Sequence, residues 1–222
     1  MYKSKLTMIL LATAFLVSCA NVPVVKLGNN SSVSLNGKTL VVVTHKPGPF
    51  VAVTAGKGAF GLLGAAAMYS AGRAQVIKFG IIDPAIKIRS TLVDGLKTKY
   101  NLNVKQNNSA PLENRSFSSI LRTYKDKADL ILDYRTFEMG YYYYPTKWGR
   151  YRVRYIGKLQ LINSKSKKVI ASSSCISIHG DKNNPPKKNQ LLANNASMIK
   201  AFLAKATTRC SQILKTEILG LQ

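Results

Sequence analysis

Between Arg150 and Ile162 the chain alternates. Tyr151, Val153, Tyr155, Leu159 and Leu161 fall on one side, and Arg152, Arg154, Lys158 and Gln160 on the other. A period of two belongs to a β-strand with one dry face and one wet face, because successive side chains leave a strand in opposite directions. The stretch NSKSKK then supplies turn residues, and VIASSSCISI, residues 169–178, returns as a hairpin partner. The chain must therefore build a sheet, and something must cover its apolar face.

Two segments are suited to that cover. Asp83 is an N-cap residue and Pro84 sits at the first helical position. Ala85, Ile88, Leu92, Leu96 and Tyr100 then recur at helical spacing, and Asn101 is a stop. A second helix follows the polar loop 179–189, with Leu192, Ile199, Phe202, Ala206, Cys210 and Ile213 in its stripe. Further strands are predicted at 38–47 (KTLVVVTHKP), 102–108 (LNVKQNN) and 128–139 (ADLILDYRTFEM), with a short helix at 116–127. Strands and helices mixed in this order predict an α+β fold: a single mixed or antiparallel sheet of about five strands, with two main helices packed on one face. The domain runs over 38–222, with a Gly/Ala-rich insertion at 54–82.

The N-terminus sets the compartment. Lys3 and Lys5 precede an uncharged run from Leu6 to Val17. A membrane-spanning helix needs about 20 apolar residues, so this run reads as a secretory leader instead. Leu16-Val17-Ser18-Cys19 resembles the lipobox of bacterial lipoproteins. That resemblance implies removal of residues 1–18, a diacylglycerol on the Cys19 thiol and acylation of its new amine, with 19–37 as a lipidated tether. Several acyl chains anchor stably where one binds only marginally. Ala20 rather than Asp after the cysteine implies, in that family, delivery to the outer membrane on its periplasmic side.

With 33 Lys and Arg against 9 Asp and Glu, the formal net charge is +24. In a cytosolic chain such an excess would point to nucleic acid. Export removes that partner and leaves lipid phosphates, lipopolysaccharide cores or an acidic protein, unless the basic bias serves only to keep the surface soluble. An exported chain also meets oxidising conditions, and Cys210 falls on the buried stripe of its helix, so a Cys175–Cys210 disulfide is expected. No metal ligand set is visible, since His45 and His179 are far apart and no cysteines are closely paired. No cofactor is expected.

Two stretches stand out for function. In TAGKGAFGLLGAAAMYSAGRAQ, residues 54–75, glycines and alanines surround Phe60, Leu62, Leu63, Met68 and Tyr69. These five either enter a membrane interface or pack, as a Gly/Ala flap, against the sheet edge or a neighbouring copy; glycine's entropy cost argues against a rigid lone helix. In YYYYPTKWGRYRVRY, residues 141–155, Tyr142, Tyr144, Trp148, Arg152 and Arg154 form a candidate partner edge, against the plainer reading that half the tyrosines are core. The element order over about residues 38–220 is similar to small α/β domains of envelope lipoproteins: the curli-secretion lipoprotein, the N-terminal domain of the Tol propeller protein, and ABC-transport auxiliary lipoproteins. No residue motif beyond the lipobox is shared. The resemblance is of fold and does not settle function; the preferred expectation is a non-enzymatic structural subunit of an envelope complex, with a homo-oligomer among its possible forms. The alternative is a carrier or sensor of lipid or lipopolysaccharide, using a basic face and an apolar groove. The scattered acids offer no paired acid and base. His45 reads as a loop residue, Asp83 as a cap, and Asp133 as a strand residue near Arg135.

Overall fold

Six strands form one mixed sheet in the computed structural model, which describes residues 22–28, 34–58 and 61–221. Its spine is a long hairpin of β4 (Leu130–Tyr144) and β5 (Lys147–Asn163), joined on the far side by antiparallel β6 (Lys168–His179). On the other side of β4, β1 (Thr39–Val42) runs parallel to its first half and β2 (Phe50–Val53) parallel to its second half. The short β3 (Asn103–Lys105) pairs with β1 and ends the sheet. The sequence pattern foresees five of these strands. It misses β2, because FVAV lies straight after the PGP turn and is too short for an alternation to register.

The alternation in β5 holds in the fold: Tyr151, Val153, Tyr155, Leu159 and Leu161 are all buried. Helices α2 (Pro84–Tyr100) and α4 (Lys188–Ile213) cover that face, contributing Ile88, Leu92, Leu96, Ile199, Leu203 and Cys210 to one core. Asp83 caps α2 by accepting from the Ala85 N–H at 2.9 Å, and Asn101 ends it in the left-handed conformation that asparagine tolerates. Cys175 of β6 and Cys210 of α4 are joined by a disulfide that pins helix to sheet. Within this core Gly157 is required by its neighbours, because a Cβ there would stand 2.1 Å from the Tyr134 hydroxyl oxygen. The Tyr134 and Tyr155 hydroxyls meet at 3.0 Å in the space so left.

A short helix, α3 (Phe117–Tyr124), lies on the opposite face and covers only one end of it, over Val41, Val43, Ile131 and Ile162. The far end of that face, where β4, β5 and β6 continue past the bulge between Thr136 and Glu138, carries no helix among the described residues.

Two expectations need correction. The Gly/Ala-rich stretch, expected not to form a rigid helix, is helical: after a helical turn at Ala55–Gly58 comes α1 (Gly61–Phe79), a regular helix packed on the sheet. Alanine is the strongest helix former, and the run of alanines offsets the roughly 1 kcal/mol that a mid-helix glycine costs. Gly72 is retained for close approach, since a Cβ there would lie 1.8 Å from the Phe50 carbonyl oxygen of β2. Secondly, α4 is not continuous. Asn194, Asn195 and Ala196 have φ of 48°, 57° and 55°, which breaks its first turns from the rest. No helix of the described residues is long and apolar enough to cross a membrane.

The segment leading into the domain is docked. Val25 pairs antiparallel with Ser172 on the outer edge of β6, and the Leu27 N–H donates to the Ile218 carbonyl at 2.8 Å. Leu27 and Leu35 are buried in the main core.

Candidate functional site

The open end of the sheet is built by the long hairpin. Because β4 and β5 run well past the last helix, the alternation that buries Tyr141, Tyr151 and Val153 on one face leaves Tyr142, Tyr144, Arg152 and Arg154 on the other. Register places Tyr142 opposite Arg152 and Gly140 opposite Arg154, and diagonal contacts result. The Arg154 guanidinium lies 4.3 Å from the Tyr142 ring centre, and that of Arg152 lies 5.4 Å from Tyr144. A third pair repeats the motif across the bulge, with Lys158 Nζ 3.7 Å from the Phe137 ring centre. Such contacts contribute about 0.5–1 kcal/mol each at exposed sites. Here they also hold the cationic heads over aromatic rings.

Glu138 is the carboxylate within this array. It accepts from Arg154 Nε at 2.8 Å and from the Tyr142 hydroxyl at 2.5 Å. Burial, then the hydrogen bond to Glu138, hold the Tyr142 phenol well above its ordinary value. Burial and the facing Arg135 guanidinium lower the Lys158 ammonium. Beside the cations, β6 presents Ile176 and Ile178, 51% and 46% exposed, opposite Ile156 and Arg154. The result is a shallow amphipathic surface. Trp148 is exposed at the start of β5, with its ring 6.5 Å from that of Tyr143 on the helix-covered side.

The second surface is α1. Its inner side is seated on β2 through Gly72, and Gln75 donates to the Tyr141 hydroxyl at 2.9 Å. Its outer side holds Leu62 and Leu63 almost fully in solvent, at 91% and 83%, with Tyr69 and Ile77 exposed further along. Met68 is only partly exposed. Helix propensity does not require large aliphatics at such positions, where solvent normally meets polar residues.

A third constellation was not legible in the sequence. His45, read as a loop residue, is hydrogen-bonded through Nε2 to Asp133 Oδ1 at 2.6 Å, and both side chains are buried. Arg135 donates to the other oxygen of Asp133 at 2.5 Å. His45 Nδ1 is buried with no partner among the described residues. Next to it Asp83 does more than cap: it also accepts from the Gly48 N–H at 3.0 Å and from the Thr136 hydroxyl. A cavity of about 130 Å³ lies here, lined by His45, Arg89, Arg135 and Thr136. Period two already puts Asp133 and Arg135 on one face, but nothing in the sequence says that a loop 88 residues earlier closes over them.

Of the residues singled out from sequence, the fold thus gathers Tyr142, Tyr144, Arg152 and Arg154 on one surface. It puts Leu62, Leu63 and Tyr69 on another and joins Cys175 to Cys210. Trp148 sits at the end of the hairpin, outside both clusters. Cys19 and Phe60 lie outside the described residues. Among these residues no group of three or more His, Cys, Asp or Glu could hold a metal ion.

No protein-family model matches this chain, and no curated protein matches its sequence. Solved structures similar to it include a neuraminyllactose-binding hemagglutinin homologue from Helicobacter pylori, at 13% identity over 82% of this chain and 90% of that one, with a TM-score of 0.35. A hypothetical protein from Chlamydia trachomatis matches at 11% identity over 79% of this chain and 96% of that one, TM-score 0.34. Lipoprotein GNA1162 from Neisseria meningitidis matches at 13% identity over 77% and 98%, TM-score 0.24. At these scores the likenesses say nothing of this chain's partners or activity.

Proposed function

We propose that this chain is a bacterial lipoprotein, anchored through Cys19 to the periplasmic side of the outer membrane, and that it serves as a non-enzymatic structural or assembly subunit of an envelope complex. The observation that supports it best is the outer side of α1. A helix held rigidly on the sheet by Gly72 presents Leu62, Leu63 and Ile77 to solvent. Large aliphatics this exposed on a regular helix suit contact with another protein. The lipobox supplies the compartment, and the excess of basic residues suits a body working beside anionic partners.

Native electrophoresis of gently solubilised membranes tests this reading. The account expects a large assembly in the wild type, and its loss with membrane attachment unchanged when Leu62 and Leu63 are both replaced by Lys. Migration of the wild type as a free monomer would contradict it.

A carrier of lipid or lipopolysaccharide is the second reading. It is favoured by an apolar cavity of about 250 Å³ between α2 and α4, lined by Ile81, Ile82 and Leu203 with Lys87 and Lys200 beside them. Ligand pockets usually enclose about 300–1,000 Å³, so this one is small for a lipid. Lipid co-purifying with the protein and displaced by Leu203→Trp would favour this reading over the first.

A further inference from the structure

We infer that the open sheet face around Arg152, Arg154, Ile176 and Ile178 lies against the headgroups of an anionic membrane surface. The inference rests on the Cys19 anchor proposed above, joined to an observation independent of it: where the tail enters the body.

Val25 pairs antiparallel with Ser172 on the free edge of β6. The Ser172 hydroxyl also donates to the Pro23 carbonyl, so the described tail stays beside β6, and an antiparallel continuation back from Val25 leads toward Ile176 and Ile178. Three steps separate Val22 from Cys19, a reach of at most about 11 Å. Ile178 stands six residues beyond Ser172 on the same strand, about 20 Å away, and the six steps from Val25 to Cys19 cover a similar length when extended. A tail extended in this direction would bring a lipid at Cys19 to the end of β6 that carries Ile176 and Ile178.

What that end offers suits headgroups. Arg152, Arg154 and Lys158 hold their charged heads over Tyr144, Tyr142 and Phe137, with one carboxylate, Glu138, among them. Cations near an anionic surface and aromatic rings at headgroup depth are both favourable. Ile176 and Ile178, half exposed beside them, are positioned to enter the interface shallowly. An acidic protein would meet the same cations, but it would not explain why the tail delivers the anchor to this edge. With this face turned to the bilayer, α1, seated on β2 on the other side of β4, is left to a protein neighbour.

The test uses the full acylated chain reconstituted in vesicles of phosphatidylethanolamine and phosphatidylglycerol containing brominated lipid. In a Trp148→Phe background, a single tryptophan is placed by Ile178→Trp or, as the control on α1, by Ile77→Trp. Circular dichroism and an intact disulfide certify each fold. The account expects the fluorescence at position 178 to be lost to bromine quenching while that at 77 persists. The reverse pattern, or quenching at neither site, overturns it, and so does protection of position 178 only when another envelope protein is supplied. In a second arm the Cys19→Ala chain, freed of its leader, is added to the same vesicles. Its binding should fall by roughly tenfold when Arg152 and Lys158 are changed to Glu; unchanged binding overturns the surface. Absence of acyl chains on the wild type by mass would instead remove the anchor reading, which this second arm does not require.

Discussion

Val25 and Ser172 exchange both of their backbone hydrogen bonds, at 2.9 Å one way and 2.8 Å the other, so the segment following Cys19 enters the body as an added rung on the edge of β6. Edge strands expose unpaired backbone groups that invite association, and a docked tail covers part of this one. It also fixes where an N-terminal anchor can lie relative to the sheet.

Replacing Val25 by Pro removes one of those donors and should release the tail. A single hydrogen bond contributes about 1 kcal/mol, and stability in urea should fall by that order. Amide exchange at Ser172 should quicken in the same variant. An unchanged exchange rate would mean the rung is not held in solution.

Asp83 is the residue on which the loop, the helix and the strand bulge converge. It accepts from Gly48, Ala85 and Thr136, and it is 8% exposed. Asp83→Ala leaves these donors buried without acceptors and should cost about 3 kcal/mol or more. Asp83→Asn keeps one acceptor oxygen and should cost less. Equal urea midpoints for the two variants would contradict the convergent role.

The Cys175–Cys210 bridge closes a loop of 35 residues between β6 and α4. In the chain-entropy model that closure stabilises the fold by roughly 3–4 kcal/mol. Denaturation with and without reductant should show a drop of that order. Both sulfurs are buried, so reduction of the native protein should be slow until the chain opens.

Alkaline pH should destabilise this protein through its tyrosines. Burial raises the phenols of Tyr134, Tyr141, Tyr142, Tyr151 and Tyr155 above the ordinary value. In the unfolded chain they ionise near pH 10, while the folded chain still holds their protons, so the unfolded state binds fewer protons and stability falls as pH rises beyond about 10. Melting temperature against pH should bend downward there. Ultraviolet titration should show a class of tyrosines that ionise only on unfolding, and ionisation of all of them near 10 in the native state would refute this.

The legible parts of the fold were those governed by local periodicity or capping. The alternation of β5, the stripe from Ala85 to Tyr100 and the cap at Asp83 each need only near neighbours. What was not legible depends on distant partners. Glycine at 72 looks like a weakness in a helix until Phe50 is seen against it. His45 looks solitary because Asp133 reaches it only through the parallel pairing of β1 with β4, a contact made across 88 residues. The surface of cations laid over rings was half legible. Period two separated Tyr142, Tyr144, Arg152 and Arg154 from the core tyrosines, but Ile176 and Ile178 join them only through the register of β5 with β6.

The central claim is the anchor at Cys19, and the intact mass of the protein purified from bacterial membranes after expression with its leader tests it most directly. The account predicts a chain beginning at Cys19 and carrying a diacylglyceryl group and an amide-linked acyl chain, all lost together with membrane attachment in Cys19→Ala. An unmodified chain, or one that begins at another residue, would contradict it.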